Sequence, residues 1–342
     1  MSRSGKYRSK SSAQQLIAIS ISNDLNHMLA RGLGLEHLRE LLLRLARPLL
    51  RSGASLAYGG HWREEPGNFT YELLRLISAE QEDNSAGGPE SAVPIGRLFN
   101  HLAWPFYLDV TPRIEAQWIN CCRIIRISQE IAGIAPSNIL SDGQDPLNEG
   151  RALLNSAITL SAMRRMATVG MSVPVVGIGT VETIPPISAR ILLGGKTSDY
   201  AGFIPGIFEE ALLALEHQCP LYIVGGFGGA AEALAHALLG AAGTTVDELR
   251  TEWQEASTPK LKQLNLLADA ASLPAGVRST AASLEALALQ IDNARPRLAE
   301  ALRTGLGEAE TRELLSTRDI RRGVQLVLNG LSKTVGLMAL PA

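Results

Sequence analysis

Three pairs of adjacent glycines each follow a short apolar run, and they are the feature of this 342-residue chain with the clearest chemical meaning. The pairs are Gly59-Gly60, Gly194-Gly195 and Gly225-Gly226. Each apolar run is typical of a buried strand, and a helical pattern comes next after each pair. Glycine at a strand end lets the backbone approach a phosphate, while the next helix N-terminus presents free N–H groups. Plain turn glycines would look the same, but three pairs at equivalent strand ends favour a phosphate-bearing ligand.

Residues 225–232, with the sequence GGFGGAAE, form the most specific of these segments. No Gly-Lys-Ser/Thr follows, so it is not a Walker loop, and its glycine spacing does not fit the dinucleotide-binding fingerprint. Glu232 falls on the first helical turn, where the helix dipole stabilises a carboxylate. The same carboxylate could bind ribose hydroxyls or act in glycosidic chemistry. Predicted ligand contacts in this segment are Gly225, Gly226, Phe227, Gly228, Gly229 and Glu232.

Further candidate contacts lie around the other two glycine pairs. Lys196, at a strand end, could contact a phosphate, although a lone lysine on a loop is more often only solvated. Pro205 suits the start of a helix, and Glu210 would complement the dipole of that helix. Thr70 could cap a helix, and its hydroxyl could hold a phosphate. The predicted contacts here are Gly59, Gly60, Thr70, Gly194, Gly195, Lys196, Pro205, Gly206 and Glu210. Arg164, on the helix predicted at 147–168, is a further candidate, although a solvated basic face of that helix would have the same sequence.

The elements that would position these residues alternate between strands and helices. Apolar runs predict strands at 16–21, 54–58, 106–108, 123–127, 189–193 and 221–224. Helices are predicted at 35–52, 69–79, 147–168, 206–218 and 230–239. Residues 173–188 are interpreted as an insertion loop with some strand character. The recurring order of strand, glycine pair and helix predicts an α/β fold, with a Rossmann-like, mostly parallel sheet flanked by helices.

Beyond residue 244 the pattern is helical only. The predicted helices are 246–256, 261–271, 280–300, 308–315 and 319–331, with Thr317 or Asp319 capping the last. We therefore expect a flexible tail at 1–14, a ligand-binding α/β domain at 15–244 and a helical C-terminal region at 245–342. That region would pack on the sheet or serve self-association.

The composition argues against several classes of protein. Lys and Arg number 32 against 34 Asp and Glu, a net charge of −2, and aromatic residues make up 5%. Neither value suits a nucleic-acid binder. No run approaches 18 apolar residues, so no membrane span is expected, and the polar N-terminus does not look like a secretion signal. Three cysteines and scattered histidines predict neither disulfides nor a metal site. We expect a cytoplasmic protein without a metal or cofactor.

At these residues the chain resembles the SLOG superfamily, which contains the LOG phosphoribohydrolases, the Smf/DprA proteins and ligand-sensing domains attached to TIR and sirtuin effectors. Residues 225–232 are similar to the LOG motif P-G-G-x-G-T-x-x-E, with Val224 in place of the proline, Gly229 in place of the threonine and the glutamate kept at Glu232. The resemblance is closer to the ACD3-type SLOG subfamily and covers nearly the whole chain. The segments that carry it are 56–60 with Gly67 and Thr70, 160–164, 190–195, 205–212, 225–230, 314–319 and 327–331.

The resemblance implies a sensor of a nucleotide-derived signal, ADP-ribose-like or cyclic, in bacterial antiviral defence. Its output would be oligomerisation or activation of a separate effector, such as a TIR-type protein. The expected partners are thus a small nucleotide and further copies of the chain, not nucleic acid or a membrane. The alternative is a LOG-like enzyme that cleaves the N-glycosidic bond of a nucleotide. Its catalytic residues would be Glu232 with Arg190 or Arg164.

Overall fold

The structure of the chain is a computed structural model, and it describes residues 15–65, 67–86, 96–141, 149–174, 181–241, 243–244 and 246–337. The tail expected at residues 1–14 lies outside the described part of the chain.

A six-stranded parallel sheet is the centre of the fold, with the strand order β4-β3-β2-β1-β7-β8. Strands β5 and β6 form a separate antiparallel pair. The bounds are β1 Leu16–Ser22, β2 Ser55–Tyr58, β3 Leu98–Ala103, β4 Cys122–Ile127, β5 Met171–Pro174, β6 Val181–Ile184, β7 Ala189–Gly194 and β8 Leu221–Val224. This sheet confirms the predicted α/β, Rossmann-like fold.

The helices surround the sheet and continue to the C-terminal end of the described chain. Their bounds are α1 Leu25–Leu29, α2 Leu35–Arg51, α3 Phe69–Ala86, α4 Pro112–Trp118, α5 Glu149–Val169, α6 Gly206–Glu216, α7 Gly229–Leu239, α8 Thr251–Ser257, α9 Leu261–Asp269, α10 Thr280–Ala294, α11 Leu298–Ala301, α12 Glu308–Ser316 and α13 Ile320–Thr334. Asp319 caps α13, because its carboxylate accepts from the N–H groups of Arg321 and Arg322. Within the described ranges, none of these helices combines the length and apolar character that crossing a membrane requires.

The order of the strands reverses beside β1. The chain builds outward through β2, β3 and β4, then returns through α5 and the β5–β6 pair to place β7 on the other side of β1. In open parallel sheets a crevice forms at such a reversal, outside the carboxyl ends of the strands. The topology therefore predicts a ligand site at the carboxyl ends of β1 and β7.

The core lies on both faces of this sheet. Successive residues of a strand point to opposite faces, so Ile191 joins a cluster with α2 and α13 while Leu192 joins one with α6 and α7. Both side chains are fully buried, which stabilises the fold by about 1.5–3 kcal/mol each. The two hydrophobic layers thus hold the sheet rigid beneath its carboxyl end.

The C-terminal helices belong to the same packed unit. Helix α13 packs against α2, α12 packs against β8, and α10 packs against α6. The N–H of Leu221, at the start of β8, donates to the carbonyl of Leu302. The boundary at residue 244 stays a prediction, and the helices after it share both hydrophobic clusters with the sheet.

Two sequence-based assignments within residues 15–244 need correction. Residues 106–108 are not a strand: Phe106–Asp109 is a 3-10 helix directly after Pro105, and the strand is β3, at Leu98–Ala103. Asn100 and His101 are polar although they are buried, so the sequence of β3 is not an apolar run and does not predict a strand. Helix α3 continues to Ala86 rather than ending at residue 79. The strand character expected in 173–188 is present as the β5–β6 pair, and residues 175–180 lie outside the described part of the chain.

Residues of both outer strands form polar contacts with segments outside the sheet. On β4, Arg123 pairs with Glu182 and Arg126 pairs with Glu115, each at 2.6 Å. On β8, the hydroxyl of Tyr222 donates to the carbonyl of Thr304 at 3.0 Å, beside the backbone bond from Leu221.

Candidate functional site

A cavity of about 350 Å³ opens at the reversal point of the sheet. Its walls come from the carboxyl ends of β1, β2 and β3 and the loop after β7, together with α5 and the N-terminal turn of α6. The volume is in the range of small-molecule sites in proteins. Position and size together make this cavity the candidate ligand site.

One side of the cavity is apolar. Leu102 and Ala103 end β3, Phe106 follows them, and Leu160 and Met163 come from α5. Aromatic and sulfur-containing side chains pack well against flat aromatic rings. This compartment can hold a planar base.

The opposite side of the cavity is polar and carries charge. Lys196, immediately after β7, has an exposed side chain that pairs with none of the carboxylates in the described part of the chain. Its own N–H donates to Ser22 Oγ at 3.3 Å, which fixes the backbone of the loop. Asp199, on the same loop, has φ +49°, an uncommon conformation for a residue with a side chain. The Lys196 ammonium is therefore free to meet an anionic ligand.

The N-terminus of α6 adds to the positive side of the cavity. Gly206 and Ile207, its first two residues, line the cavity, and Pro205 before them provides no N–H or side-chain cap. The Arg164 guanidinium lies so close that a Cβ on Gly206 would sit 2.8 Å from its Nη2. Arg164 also pairs with Glu209 at 2.5 Å, and both residues are buried. The sequence pattern Pro205-Gly206 thus serves a close approach between α5 and α6.

Arg190 lies beneath the cavity, on the inner part of β7. It is 2% exposed, and its guanidinium donates to Ser20 Oγ and to Thr168 Oγ1, each at 2.9 Å. It also pairs with Glu210 at 3.2 Å. Because Ser20 and Glu210 line the cavity while Arg190 does not, Arg190 is a positioning residue in this structure.

The pKa values of two further side chains, His101 and Tyr58, are shifted from their usual values. Burial, followed by the charge of Arg190, lowers the pKa of His101 to about 4, so the imidazole is neutral at pH 7. Burial and the nearby Glu210 carboxylate raise the pKa of the Tyr58 hydroxyl, which therefore stays protonated and can donate. Tyr58 lines the cavity, so it offers a hydroxyl beside Glu210.

Only one residue of the first glycine pair, Gly59-Gly60, lines the cavity. Gly59 lines the cavity, where a Cβ would lie 3.3 Å from the methyl carbon of Met163. Gly60 lies behind it, and a Cβ there would meet the Tyr58 ring at 2.0 Å and the Thr70 hydroxyl at 2.5 Å. That hydroxyl is buried and donates to the carbonyl of His61 at 2.8 Å. Thr70 thus holds the loop.

The second pair packs against α7. The N–H of Gly195 donates to the carbonyl of Ser22 at 2.7 Å, and its own carbonyl accepts from the N–H of Ala230 at 2.9 Å. A Cβ on Gly229 would lie 2.2 Å from that carbonyl oxygen. Part of the N-terminal turn of α7 is therefore occupied by the protein itself. Gly194, Gly195, Gly228 and Gly229 are not among the residues that line the cavity.

The third pair lies under the C-terminal helices. Gly225, Gly226 and Phe227 are buried, and a Cβ on Gly226 would lie 2.0 Å from the carbonyl oxygen of Thr317. A Cβ on Gly225 would likewise meet the carbonyl of Leu315, at 2.3 Å. These glycines provide a close approach between β8 and the end of α12, away from the cavity. Their role in ligand binding stays a prediction.

The Glu232 carboxylate pairs with Arg31, away from the cavity. Arg31 donates through Nε to Glu232 Oε1 at 2.6 Å and through Nη2 to the second carboxylate oxygen. Arg31 also donates to the carbonyl of His27 at 2.7 Å, which ties α7 to the segment around α1. Glu232 is 8% exposed and does not line the cavity.

The cavity therefore unites only part of the predicted set: Gly59, Arg164, Lys196, Gly206 and Glu210 line it. Sequence reasoning missed Ser20, Asp199 and the apolar residues from β3 and α5. A serine within the apolar run of β1 is the one signal that pointed to Ser20. Among the described residues, no group of three or more His, Cys, Asp or Glu side chains is placed to bind a metal ion.

The parallel sheet with a cavity at its reversal point places the chain in the class of Rossmann-like proteins. The family model of SLOG cluster2 matches residues 11–314, nearly the whole chain. The chain therefore belongs to the SLOG cluster2 family, which supports a nucleotide-related function and confirms the superfamily resemblance. No curated protein matches the chain.

Proposed function

We propose that the protein binds a nucleotide-derived signal in the cavity at the ends of β1 and β7. The observation that carries the proposal is the division of this cavity into an apolar side and a cationic side. The base would lie among Leu102, Phe106 and Met163, and a phosphate would lie near Lys196 and the start of α6. Membership of the SLOG cluster2 family supports a nucleotide over other amphipathic ligands.

We further propose a sensor rather than an enzyme, of the ACD3 type within SLOG, responding to an ADP-ribose-like or cyclic nucleotide. In this proposal the signal acts in antiviral defence, and binding drives oligomerisation or activates an effector such as a TIR-type protein. The enzyme alternative assigns catalysis to Glu232, and Arg31 holds that carboxylate outside the cavity lining. The position of Glu232 therefore supports binding without cleavage of the glycosidic bond.

The test is to incubate the purified protein with AMP, 3′,5′-cyclic AMP and ADP-ribose while following both unfolding and products. A ligand at a hundred times its Kd stabilises the folded state by about 2.7 kcal/mol, so Tm should rise clearly. We expect a rise in Tm and no free adenine by chromatography. Released base would establish the enzyme instead, and no shift with any of the three would contradict nucleotide binding. Light scattering with and without the binding nucleotide tests oligomerisation.

Lys196 should contribute to affinity through its free ammonium. We expect Lys196→Gln to weaken nucleotide binding by roughly fivefold, with a larger effect at low salt, because an exposed ion pair is screened. Lys262→Gln, which alters an exposed lysine on α9 away from the cavity, is the matched control and should leave Kd unchanged. If calorimetry gave the same Kd for both variants, Lys196 would not be the residue that binds the phosphate of the ligand.

A further inference from the structure

A single nitrogen of Arg190 contacts two oxygen atoms of different chemistry, a hydroxyl oxygen and a carboxylate oxygen. Nη1 donates to Ser20 Oγ at 2.9 Å and pairs with Glu210 Oε1 at 3.2 Å. Arg190 is 2% exposed, whereas Ser20 and Glu210 both line the cavity. A shared donor places the hydroxyl and the carboxylate side by side, and the buried guanidinium fixes them from beneath.

The two groups differ in what they offer a ligand. Because Ser20 Oγ accepts from Arg190, its own proton is free to be donated outward. The Glu210 carboxylate only accepts, and its second oxygen is not used in the pair with Arg190. An adjacent donor and acceptor match two neighbouring hydroxyl groups, of which one accepts and the other donates. A phosphate, in contrast, would be repelled by the carboxylate.

We infer that Ser20 and Glu210 bind the vicinal 2′- and 3′-hydroxyls of the ribose of the ligand, held in place by Arg190 as a positioning residue. The inference rests on the proposed nucleotide function and names the part of the ligand that this site selects. Strand order supports it, because β1, with Ser20, lies between β3 with the apolar compartment and β7 with Lys196. Base, ribose and phosphate follow one another in the same order along a nucleotide.

The inference separates the candidate signals. AMP and ADP-ribose carry a free vicinal diol, whereas 3′,5′-cyclic AMP has its 3′-oxygen in the phosphodiester. A nucleotide without one of the two hydroxyls leaves Ser20 or Glu210 unpaired within the cavity. Removing a hydrogen bond to a charged group in a desolvated site costs roughly ten- to hundredfold in affinity.

The experiment measures Kd of the full chain for AMP, 2′-deoxy-AMP, ADP-ribose and its 2′-deoxyadenosine analogue by calorimetry. We expect the deoxy analogues to bind at least about tenfold more weakly than their ribonucleotides. This ratio should fall towards one in whichever of Glu210→Gln and Ser20→Ala removes the partner of the 2′-hydroxyl. The other variant, which removes the partner of the 3′-hydroxyl, should weaken the binding of the ribonucleotide and its 2′-deoxy analogue alike. Glu216→Gln, at the C-terminal end of the same helix and paired with Arg278, is the matched control and should retain the wild-type ratio.

The outcomes distinguish this inference from the proposal beneath it. Equal binding of ribo- and deoxynucleotides by the wild-type protein overturns the diol subsite and leaves nucleotide binding intact. Unchanged ratios in both cavity variants overturn the assignment to Ser20 and Glu210. Binding of none of these nucleotides overturns the proposed function and this inference together. Glu210→Gln leaves Arg190 without its carboxylate, so if that variant fails to fold, the wild-type comparison and Ser20→Ala decide the matter.

Discussion

The ion pair between Arg164 and Glu209 joins α5 to α6 beside the cavity and is nearly removed from solvent. The two side chains are 10% and 12% exposed, and the atoms approach to 2.5 Å. Burying two charges has a large desolvation penalty, which their mutual attraction offsets only while both are present. Loss of one partner leaves the other charge buried and uncompensated.

Glu209→Gln should therefore lower the free energy of unfolding by about 3–5 kcal/mol. Urea denaturation followed by circular dichroism measures this change. The matched control is Glu40→Gln in the exposed pair of Arg44 and Glu40, where the side chains are 47% and 50% exposed. There we expect a change within about 0.5 kcal/mol. Similar losses in the two variants would show that the buried pair is not especially important.

His101 makes folding sensitive to acid. Its pKa is about 4 in the folded protein against 6.5 in the unfolded chain, because burial and Arg190 oppose its protonation. The stability associated with the neutral imidazole is complete above pH 6.5 and is lost as the pH falls towards 4. The loss amounts to about 3 kcal/mol at pH 4.

His101→Gln removes this titration, so its unfolding free energy should fall less between pH 7 and pH 4 than that of the wild-type protein, by about 3 kcal/mol. Urea titrations at several pH values measure the difference, and taking the difference cancels the contributions of the carboxylates common to both proteins. Parallel pH profiles would mean that His101 titrates normally in the folded state.

Sequence reasoning identified those site residues that sit directly after a strand or at a helix start. Lys196, Gly206 and Glu210 were found because their chain neighbours carry turn and helix signals. Met163 lines the cavity because of how α5 packs against the strand ends, and no local pattern encodes that packing. Glu232 shows the opposite case, since its motif suggests a ligand while Arg31, 201 residues away in the chain, takes the carboxylate.

The turns that follow β7 and β8 bring backbones closer together than a Cβ would permit. At Gly229, the N-terminal residue of α7, φ is +69° and the carbonyl of Gly195 fills the place of a side chain. The glycine pairs were therefore correct as markers of strand ends. After β7 and β8 the glycines allow one turn to pack closely on another. A glycine that allows such packing looks the same in the sequence as a glycine that lets the backbone approach a phosphate.

Gly229→Ala should destabilise the fold by about 3 kcal/mol or more, because both backbone strain and a clash arise. Gly32 provides the control: it also has φ +69°, and a Cβ there meets no atom within 4 Å. Gly32→Ala should cost only about 1 kcal/mol, from the backbone conformation. Thermal unfolding of the two variants compares them. Equal shifts in Tm would mean that the contact with Gly195 is unimportant.

Strands and helices with regular apolar patterns were well predicted, and the elements without them were not. Strand β3 was missed because Asn100 and His101 interrupt its apolar run while remaining buried. Asn100 accepts from Trp62 Nε1 at 2.7 Å and donates to the carbonyl of Tyr58 at 3.0 Å, so its burial is satisfied by partners distant in the chain. Local propensity carries no information on such bonds.

In the described part of the chain the C-terminal helices share a core with the sheet, since α12 and α13 complete the core on the face that α2 and α3 begin. Leu326 on α13 is fully buried in the same cluster as Tyr222 of β8. A helical region that shares its core in this way should unfold together with the sheet.

Leu326→Ala should lower the unfolding free energy by about 2–5 kcal/mol and keep a single transition, detected by both tryptophan fluorescence and circular dichroism. Leu266→Ala, at a leucine that is 72% exposed, should change it by less than about 0.5 kcal/mol. Two separate transitions, with only one of them shifted by Leu326→Ala, would instead support an independent C-terminal domain.

The outer strands of the sheet have a consequence for how copies of the protein can assemble. A bare outer strand is a template for adding strands from another chain, and charged side chains or a short strand make such pairing less favourable. Strand β4 carries Arg123 and Arg126, each in an ion pair. Strand β8 is four residues long, and the N–H of Leu221 is already bonded to the carbonyl of Leu302. Growth of a continuous sheet from one copy to the next is therefore disfavoured at either end. We expect the oligomer that we propose to form through helical surfaces, with a geometry set by side chains rather than by the backbone.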